Sequence, residues 1–389
     1  MKKLFSIFLI CLMSLALCGC GSNSSSSGAF KLGGSGPLTG GAAEYGKAVQ
    51  NAAKLAVDEV NALNDGVKFE LNIEDDEHDA EKAVNCFASL MDWGMQVSLD
   101  CVTSAPGIAV AQKYKDANIF AITPSGSNQS VTLLGDGSDE NAYYGNIFQM
   151  CFTDPNQGIA SADYLAMKNL GTKIAIFYED DIDYSKSIYD KFKLEAANKG
   201  LNIVFEGSFQ DETQDFSTLI NKAKEAQADL VFLPIYYQHA TLILDQAKKA
   251  DYAPIFFGVD GMDGILTQEG FEASLAEGVY YLTPFSASSS DSTTVHFVNS
   301  YKEKYGSVPN QFAADAYDCV YLLHDLIKNN GITVDMDNAT ICNKLVEAIT
   351  NPSYSFNGIT GISSWNKNGQ VSKEPKAVII KGGETVEAK

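Results

Sequence analysis

Residues 96–127, QVSLDCVTSAPGIAVAQKYKDANIFAITPSGS, decide the fold class of this chain. They predict a strand over Gln96–Cys101, a helix over Ala105–Lys115 and a second strand over Ile119–Ile122, with a hydroxyl-rich loop after each strand. Both loops follow the carboxyl end of a strand, which is where open α/β sheets bind ligands. The same alternation continues along the rest of the chain, and it predicts mostly parallel sheets covered on both faces by helices.

Three serines of these loops are candidate ligand contacts. Ser104 stands just before Ala105 and Pro106, a helix-start pattern, and the free N–H groups of a helix N-terminus favour a small anion such as a carboxylate. Ser125 and Ser127 lie in the second loop. Taken singly, Ser104 is more simply explained by N-capping, and the two loop serines by turn formation. The rest of the chain has to decide between these interpretations.

A second copy of the strand, loop and helix pattern occupies the second half of the chain. The two halves predict two α/β lobes that face each other, and clefts between such lobes are favoured ligand sites. Tyr45 and Tyr184 stand at the start of corresponding helices, and Tyr236 follows a later strand. Asp260 follows the next strand; a turn alone explains it, but its carboxylate also suits a ligand ammonium group beside the ring face of Tyr236.

Composition limits the function classes. The chain of 389 residues has 28 basic and 49 acidic residues, and its formal net charge is −21. This charge argues against nucleic-acid binding, which needs basic patches. All 28 basic residues are lysine. A ligand carboxylate therefore has to be held by hydroxyls, backbone N–H groups, helix ends or lysine, because no guanidinium is present to form a bidentate pair.

The motifs point to no cofactor, no metal and no catalysis. Gly33–Gly41 is interpreted as a glycine-rich turn without the ending of a phosphate-binding loop or the dinucleotide spacing. The run Asp75–Asp79 includes His78 but lacks the calcium-loop pattern, and no cysteine or histidine spacing suggests zinc. A hydrolase acting through Ser104 has no histidine in a triad context to support it. The acidic run Glu179–Asp183 is either a solvated loop or part of the cleft rim, and the solvated loop is the favoured interpretation.

The N-terminus predicts a lipoprotein. Residues 1–19 combine a charged start with an apolar run that is too short to span a membrane and ends at small residues, which indicates a secretory signal peptide. The ending Leu-x-Gly-Cys resembles a lipobox and implies a lipid on Cys20, with residues 20–28 as a lipidated, flexible tether. Cys86 and Cys101, on a helix and the next strand, are candidates for a disulfide in this extracytoplasmic setting.

Short motifs follow one another along the chain in a specific order. They are Gly36-Pro37-Leu38-Thr39-Gly40, Tyr45-Gly46, Glu74-Asp75-Asp76, Thr123-Pro124-Ser125-Gly126-Ser127-Asn128, Asp154-Pro155-Asn156-Gln157-Gly158, Asp215-Phe216-Ser217, Tyr236-Tyr237 and Asn357-Gly358-Ile359-Thr360-Gly361. Together they resemble the branched-chain amino-acid (Leu/Ile/Val) binding proteins of ABC transporters. The resemblance implies the α/β fold of type I periplasmic binding proteins. Two Rossmann-like lobes, 29–153 with 285–356 and 154–284 with 357–389, would be joined by a three-segment hinge.

The resemblance also implies roles for individual residues. The serine that binds the ligand carboxylate falls on Ser104 when positions are counted back from the second loop, and on Val102 when they are counted from the first strand. The Ser125 carbonyl would take the ligand ammonium, and the Ser127 hydroxyl and N–H its carboxylate. Asp260 would be the acid that binds the ammonium. The aromatic residues that would line the cleft are Tyr45, Tyr184, Tyr236 and Phe312.

The function implied by the resemblance is that of a solute receptor and not of an enzyme. Such a protein sits on the outer face of the cytoplasmic membrane, held by its lipid alone, and delivers an amino acid to the transmembrane subunits of an ABC permease. It acts as a monomer without a cofactor, by closing its lobes around the ligand. Two alternatives stay open: a sensory ligand-binding module, and a related ligand such as an amide, a short peptide or an aromatic acid.

Overall fold

A computed structural model describes residues 28–388 of the chain. The predicted signal peptide, the lipid on Cys20 and most of the tether lie outside the described residues. Within the described range, no helix has both the length and the apolar character needed to cross a membrane.

Helices and strands alternate through most of the described range. The strands are β1 Phe30–Gly36, β2 Phe69–Asp75, β3 Val97–Cys101, β4 Phe120–Thr123, β5 Ile147–Gln149, β6 Ile174–Glu179, β7 Ile203–Phe209, β8 Leu230–Leu233, β9 Ile255–Gly258, β10 Tyr280–Thr283, β11 Phe356–Gly358, β12 Gly361–Trp365, β13 Val371–Ser372, β14 Lys376–Lys381 and β15 Glu384–Glu387. The α-helices are α1 Ala43–Leu63, α2 Ala80–Trp93, α3 Ser104–Ala117, α4 Asp154–Lys168, α5 Asp183–Lys199, α6 Ser217–Glu225, α7 Tyr237–Lys249, α8 Ser292–Tyr305, α9 Gln311–Asn329 and α10 Asn338–Ile349. Short 3-10 helices span Gln129–Val131, Asp260–Met262, Ile265–Thr267 and Ala273–Ala276.

The strands form two large sheets. The first has the order β2-β1-β3-β4-β5 with every pairing parallel. The second has the order β15-β14-β10-β9-β8-β6-β7; its strands from β7 to β10 are parallel, and β14 and β15 are added antiparallel at one edge. Helix α1 packs against α9, and α4 packs against α5. This architecture confirms the predicted α/β fold with parallel sheets flanked by helices.

The central strands explain why the sequence predicts this fold so readily. Every residue of β3, β4 and β8 is buried. Helices cover both faces of such a sheet, so central strands become nearly continuous apolar runs rather than alternating ones. The run Leu230–Leu233 is an example, and the carboxyl ends of these strands are where the chain places its polar loops.

Three glycines that the sequence assigned to a turn, Gly33, Gly34 and Gly36, belong to β1. The strand continues to Gly36, whereas the sequence predicted a turn from Gly33 onward. A Cβ on Gly33 would lie 2.3 Å from Met95 Sδ, and one on Gly36 would lie 2.4 Å from Val102 Cγ2. These glycines therefore allow neighbouring side chains to pack onto the strand.

The loop after β1 is fixed by contacts between motifs that are distant in sequence. A Cβ on Gly46 of α1 would lie 2.0 Å from the Pro37 carbonyl oxygen, so only glycine lets the helix approach this loop. The Asp75 carboxylate accepts hydrogen bonds from Leu38 N at 2.8 Å and from Thr39 Oγ1 at 2.6 Å. These contacts hold the first turn of α1 against the carboxyl end of the first sheet.

The third, small sheet β11-β12-β13 lies next to the first large sheet. Trp365 Nε1 donates to the Gln149 carbonyl oxygen at 2.7 Å, and Gln149 N donates to the Gly369 carbonyl oxygen at 2.9 Å. The chain joins the second large sheet only at Lys376. The predicted lobe ranges stay a prediction, and these contacts place residues 361–372 beside the first sheet instead of the second.

The structure contradicts the disulfide between Cys86 and Cys101. Both residues are free cysteines. Cys86 Sγ donates to the Asp75 carbonyl oxygen at 3.5 Å, while Cys101 Sγ lies 3.2 Å from Ser35 Oγ. Burial raises the pKa of both thiols, to about 11 for Cys86, so both stay protonated at neutral pH. Each thiol has its own polar partner, and the predicted bridge is not formed.

Candidate ligand-binding site

A small cavity lies where the loops at the carboxyl ends of the two large sheets meet. Its free volume is about 10 Å³, because the side chains of the two sheets are closed on each other. Its lining consists of Tyr45, Val102, Thr103, Ser125, Tyr184, Tyr236, Asp260, Gly261 and Phe312. Six of the eight residues predicted as ligand contacts are therefore brought together around one space; Ser104 and Ser127 are not among them.

Aromatic rings form one wall of the cavity. Tyr184 stacks on Tyr236, with ring centroids 4.6 Å apart and an angle of 20° between the ring planes. Tyr45 lies edge-on to Tyr236 at 5.4 Å and packs against Phe312 at 4.5 Å. Tyr45 and Phe312 come from helices α1 and α9 beside the first sheet, whereas Tyr184 and Tyr236 follow strands of the second. The rings thus form a continuous surface suited to an apolar group.

Hydrogen bonds of Tyr45 and Tyr237 connect the two sides of the cavity. The Tyr45 hydroxyl donates to the Gly261 carbonyl oxygen at 2.6 Å and accepts from Tyr237 N at 3.2 Å. The Tyr237 hydroxyl donates to the Gly41 carbonyl oxygen at 2.7 Å. Burial raises the pKa of Tyr45 far above its usual value, so its hydroxyl remains a neutral donor. These bonds hold the loop after β1 against the loops after β8 and β9, which closes the cavity.

Asp260 supplies the negative charge of the cavity. It follows β9 at the start of a 3-10 helix and is only 2% exposed. Its Oδ1 accepts a hydrogen bond from the Tyr184 hydroxyl at 2.5 Å, and its backbone N donates to Gln157 Oε1 at 3.1 Å. Burial raises the pKa of Asp260 to about 6. At neutral pH the carboxylate is therefore ionised, shielded from water and suited to a ligand cation.

The opposite side of the cavity offers hydroxyls beside a helix N-terminus. Helix α3 begins at Ser104, and the preceding residue, Thr103, lines the cavity. Thr103 Oγ1 lies 2.8 Å from His78 Nδ1, and Ser125 Oγ donates to the Val102 carbonyl oxygen at 2.5 Å. The partial positive charge of a helix N-terminus favours an anion there.

The structure places Ser104 and Ser127 outside the cavity lining. Because the chain is already helical at Ser104, its hydroxyl turns toward the second loop, where it accepts a hydrogen bond from Asn128 N at 3.2 Å. Ser127 is buried, and its carbonyl oxygen accepts a hydrogen bond from Asp154 N at 3.0 Å. Both serines connect loops to each other. Of the two registers that the sequence left open, the one that counts from the first strand gives Val102, a cavity residue.

Sequence reasoning missed Thr103, Gly261 and His78. The backbone of His78 has a positive φ of 63°, and its ring lies 5.7 Å from the ring of Tyr236. Burial lowers the pKa of His78, which keeps the ring neutral. The acidic motif before this histidine indicated that the segment mattered, but no spacing in the sequence placed it against the cavity. A Cβ on Gly261 would lie 2.7 Å from the Tyr184 hydroxyl, so this position requires glycine.

The fold and the cavity define a class of protein: an α/β protein with two large, mostly parallel sheets and a cavity where the loops at their carboxyl ends meet. Comparison with known families gives the same assignment. The model of the family described as periplasmic binding protein matches residues 29–383, and the chain belongs to this family.

Within this family, the chain is similar to proteins that are named as amino-acid-binding proteins. The chain is 27% identical over 322 residues to the leucine-, isoleucine-, valine-, threonine- and alanine-binding protein of Pseudomonas aeruginosa. The aligned region covers 82% of this chain and 83% of that protein. The structure is similar to a leucine-binding protein of Thermotoga maritima, with a TM-score of 0.80, 25% identity and coverage of 92% and 98%. These similarities confirm the resemblance that the sequence motifs predicted.

Two further structures show the range of ligands on this fold. A branched-chain amino acid transporter substrate-binding protein of Streptococcus pneumoniae, solved in complex with isoleucine, has a TM-score of 0.80 at 25% identity and covers 92% of this chain and 100% of its own. A solute-binding protein of R. palustris, solved in complex with benzoate, also has a TM-score of 0.80, but at 18% identity. The fold alone therefore does not fix the ligand, and the side chains of the cavity have to decide it.

Proposed function

We propose that this protein captures a small amino acid with an apolar side chain, of the branched-chain type, and delivers it to the transmembrane subunits of an ABC permease. The observation that carries the proposal is the buried carboxylate of Asp260, which faces hydroxyls and a helix N-terminus across a small aromatic cavity. A free amino acid carries both charges on one carbon, so it can satisfy both sides at once.

Each part of such a ligand has a matching part of the cavity. The ammonium group would bind Asp260, which Tyr184 already orients through its hydroxyl. The carboxylate would bind at the start of α3, where Thr103 supplies a hydroxyl and the helix its free N–H groups. An apolar side chain would then lie against the aromatic wall. This assignment moves the carboxylate contact predicted for Ser104 to Thr103, and it leaves Ser127 a supporting role in the second loop.

The chemistry of the cavity lining, and not its volume, distinguishes among the possible ligands. The sides are closed on each other and leave a free volume of about 10 Å³, so any ligand requires them to move apart. An aromatic acid would suit the rings but would leave the buried carboxylate of Asp260 without a cation, which is unfavourable.

Closure of the lobes would be the working step of this receptor. The bonds from Tyr45 to Gly261 and from Tyr237 to Gly41 are made only when the two sides meet. A ligand that touches both sides shifts the population toward this closed form. Ligand capture and recognition by the permease would then both depend on lobe closure, with no chemical step.

The location also belongs to this proposal. The family supports an extracytoplasmic protein. The predicted signal peptide and the lipid on Cys20 would hold a monomer on the outer face of the cytoplasmic membrane. Replacing Cys20 by serine is expected to move the protein from the membrane fraction to the soluble fraction without changing ligand affinity. Retention of the Cys20→Ser variant in the membrane fraction would contradict the anchor.

Calorimetric titration tests the proposed ligand. The chain would be unfolded and refolded to remove carried-over ligand and titrated separately with leucine, isoleucine, valine, alanine and benzoate. We expect saturable binding of at least one apolar amino acid with one site per chain, and loss of that binding in Asp260→Asn. Binding of benzoate in the absence of any amino-acid signal would refute the proposal and favour an aromatic acid as the ligand.

A further inference from the structure

A second group of polar side chains converges on the second sheet, apart from the cavity lining. Glu179 is the last residue of β6, Asp211 follows β7, and His239 lies in the first turn of α7. Each residue has one nitrogen or oxygen atom that could bind a metal ion, and these three atoms lie within 4.8 Å of one another. Strands β6 and β7 are neighbours in the sheet, so their carboxyl ends bring these loops together.

The start of the acidic loop is not solvated, contrary to the interpretation from sequence. Asp180, Asp181 and Asp183 are exposed, but Glu179 is buried. Its side chain is 1% exposed, and that of His239 is 7% exposed. Among the residues that the structure describes, Glu179 Oε1 and His239 Nδ1 have no hydrogen-bond partner. Two buried polar atoms in one cluster are therefore left without a partner, which is costly in a protein interior.

The orientation of the His239 ring shows what kind of partner its Nδ1 atom lacks. His239 Nε2 lies 2.9 Å from the Asp211 carbonyl oxygen, which can only accept, so Nε2 carries a hydrogen atom. In the neutral ring Nδ1 then presents a lone pair. Nδ1 lies 3.5 Å from Glu179 Oε2, too far for a good hydrogen bond. A lone pair and a carboxylate that face each other in a buried site require a positive charge between them, which is either a proton on Nδ1 or a metal ion.

We propose that Glu179, Asp211 and His239 bind a divalent transition-metal ion of the zinc class. Zinc lies about 2.0–2.2 Å from nitrogen and oxygen ligands, so two ligands at the tetrahedral angle are about 3.4 Å apart. The separation of 3.5 Å between His239 Nδ1 and Glu179 Oε2 matches this value. The exposed side chain of Asp211 is free to turn inward as the third ligand, and water would complete the site.

The surroundings of the cluster fit a metal ligand set. A bond from the second ring nitrogen of a ligating histidine to a backbone carbonyl is the usual contact that orients the ring, and the Asp211 carbonyl oxygen supplies it here. Imidazole with carboxylates suits zinc and similar ions, whereas calcium prefers six to eight oxygen ligands. The three residues are 28 and 32 positions apart, from 239 − 211 and 211 − 179. No local spacing motif could therefore have revealed them.

Metal binding at this cluster is independent of the proposed amino-acid site. None of the three residues lines the cavity. The ion would fix the first turn of α7 to the ends of β6 and β7. That turn begins with Tyr237, whose N–H bonds to Tyr45 across the cavity. Failure to bind metal would leave the amino-acid proposal intact, and failure to bind amino acids would leave the metal site intact.

The test measures Zn²⁺ binding by the full chain and by single variants. Chelator-treated protein would be dialysed against Zn²⁺ and analysed for bound metal, with affinity measured by competition against a chromogenic chelator. We expect one tight site per chain. Loss of an outer contact to a metal ligand lowers metal affinity by about 10–100-fold. His239→Ala removes a ligand itself, so it should lower Zn²⁺ affinity by more than that. Asp211→Asn should lower Zn²⁺ affinity by about tenfold.

Two controls separate this site from other zinc ligands. His296→Ala removes an exposed histidine that pairs with Glu59 elsewhere in the molecule, and it should leave Zn²⁺ affinity unchanged. Cysteine thiolates also bind zinc, but bound Co²⁺ would then show a strong sulfur charge-transfer band. We expect visible Co²⁺ bands without that feature.

The outcomes decide the proposal even if one variant folds poorly. Asp211 is exposed, so Asp211→Asn should keep the fold, which circular dichroism checks. The proposal is overturned if the wild-type chain binds no Zn²⁺ at micromolar concentration. In that case a proton on His239, and not a metal ion, would supply the positive charge next to Glu179. It is equally overturned if Asp211→Asn and His239→Ala bind Zn²⁺ as tightly as the wild-type chain.

Discussion

The two sides of the cavity offer opposite chemistry. The side next to the first sheet presents the hydroxyls of Thr103 and Ser125 and the N-terminus of α3. The side next to the second sheet presents the buried carboxylate of Asp260, oriented by Tyr184. The first side is neutral and supplies donors, and the second is anionic. Under the proposed function, a ligand with both charges would be oriented in one direction only, and it would contact both sides only when they close on it.

The two sides also differ in the free-energy cost of leaving the cavity empty. Hydroxyls and N–H groups are neutral, and Ser125 Oγ already bonds to the Val102 carbonyl oxygen. The Asp260 carboxylate is charged and buried, and its raised pKa reflects the cost of holding it there. A ligand ammonium relieves that cost, so the second side should contribute more to affinity than the first.

The largest effect is expected on the anionic side. Asp260→Asn should weaken amino-acid binding by about 2–5 kcal/mol, because a buried ammonium would lose its charged partner. Calorimetry measures the change. Asp190→Asn, which removes an acid on the surface of the same lobe with its side chain 52% exposed, is the matched control and should bind as the wild-type chain does. Equal affinity of Asp260→Asn and Asp190→Asn would show that the cavity carboxylate does not contact the ligand.

A smaller effect is expected on the neutral side. Thr103→Val keeps the shape of the side chain but removes its hydroxyl, and it should cost about 1–3 kcal/mol of binding free energy if the hydroxyl bonds to a charged carboxylate. Ser104→Ala is the control next to it in sequence, and it should leave affinity within about 0.5 kcal/mol because its hydroxyl serves Asn128. If Ser104→Ala proves the more damaging of the two, the carboxylate contact lies where the sequence motif first placed it.

Acid should weaken binding through the anionic side alone. Only the ionised form of Asp260 binds an ammonium, and its pKa of about 6 means that the protonated fraction grows as the pH falls below that value. Affinity should therefore fall about tenfold from pH 7 to pH 5, which is about 1.4 kcal/mol. Titrations at both pH values measure it, with Asp260→Asn as the reference. A wild-type profile as flat as that of Asp260→Asn would mean that another group fixes the ammonium.

The smallest effect is expected for the bonds that join the sides. Tyr45→Phe keeps the aromatic wall but removes the hydroxyl that donates to Gly261 and accepts from Tyr237. We expect a loss of about 0.5–1.5 kcal/mol in amino-acid affinity, because only the closed form makes these bonds. Small-angle scattering with saturating ligand checks whether the variant still closes. A variant with unchanged affinity and unchanged closure would show that ring packing alone holds the sides together.

The sequence predicted the class of the site better than its details. Six of the eight predicted contacts line one cavity, because the loops at the carboxyl ends of parallel strands and the first turns of α1 and α9 meet there. Ser104 lies outside the cavity lining for a local reason. Helix α3 starts one residue earlier than predicted, and one residue turns a helical side chain by about 100°. Thr103 therefore took the place expected for Ser104.

The sequence by itself determined the fold class and the family, because both depend on patterns within short stretches of the chain. Buried strands such as β8 are apolar runs, and the strand predicted over Gln96–Cys101 corresponds to β3, whose residues are all buried. Only the tertiary structure decided which hydroxyl faces the cavity, that Cys86 and Cys101 stay apart, and that Glu179, Asp211 and His239 meet. The spacing of apolar residues along a helix or strand indicates which of its faces is buried. Contacts between distant residues depend on strand order and loop geometry, which no single stretch of sequence contains.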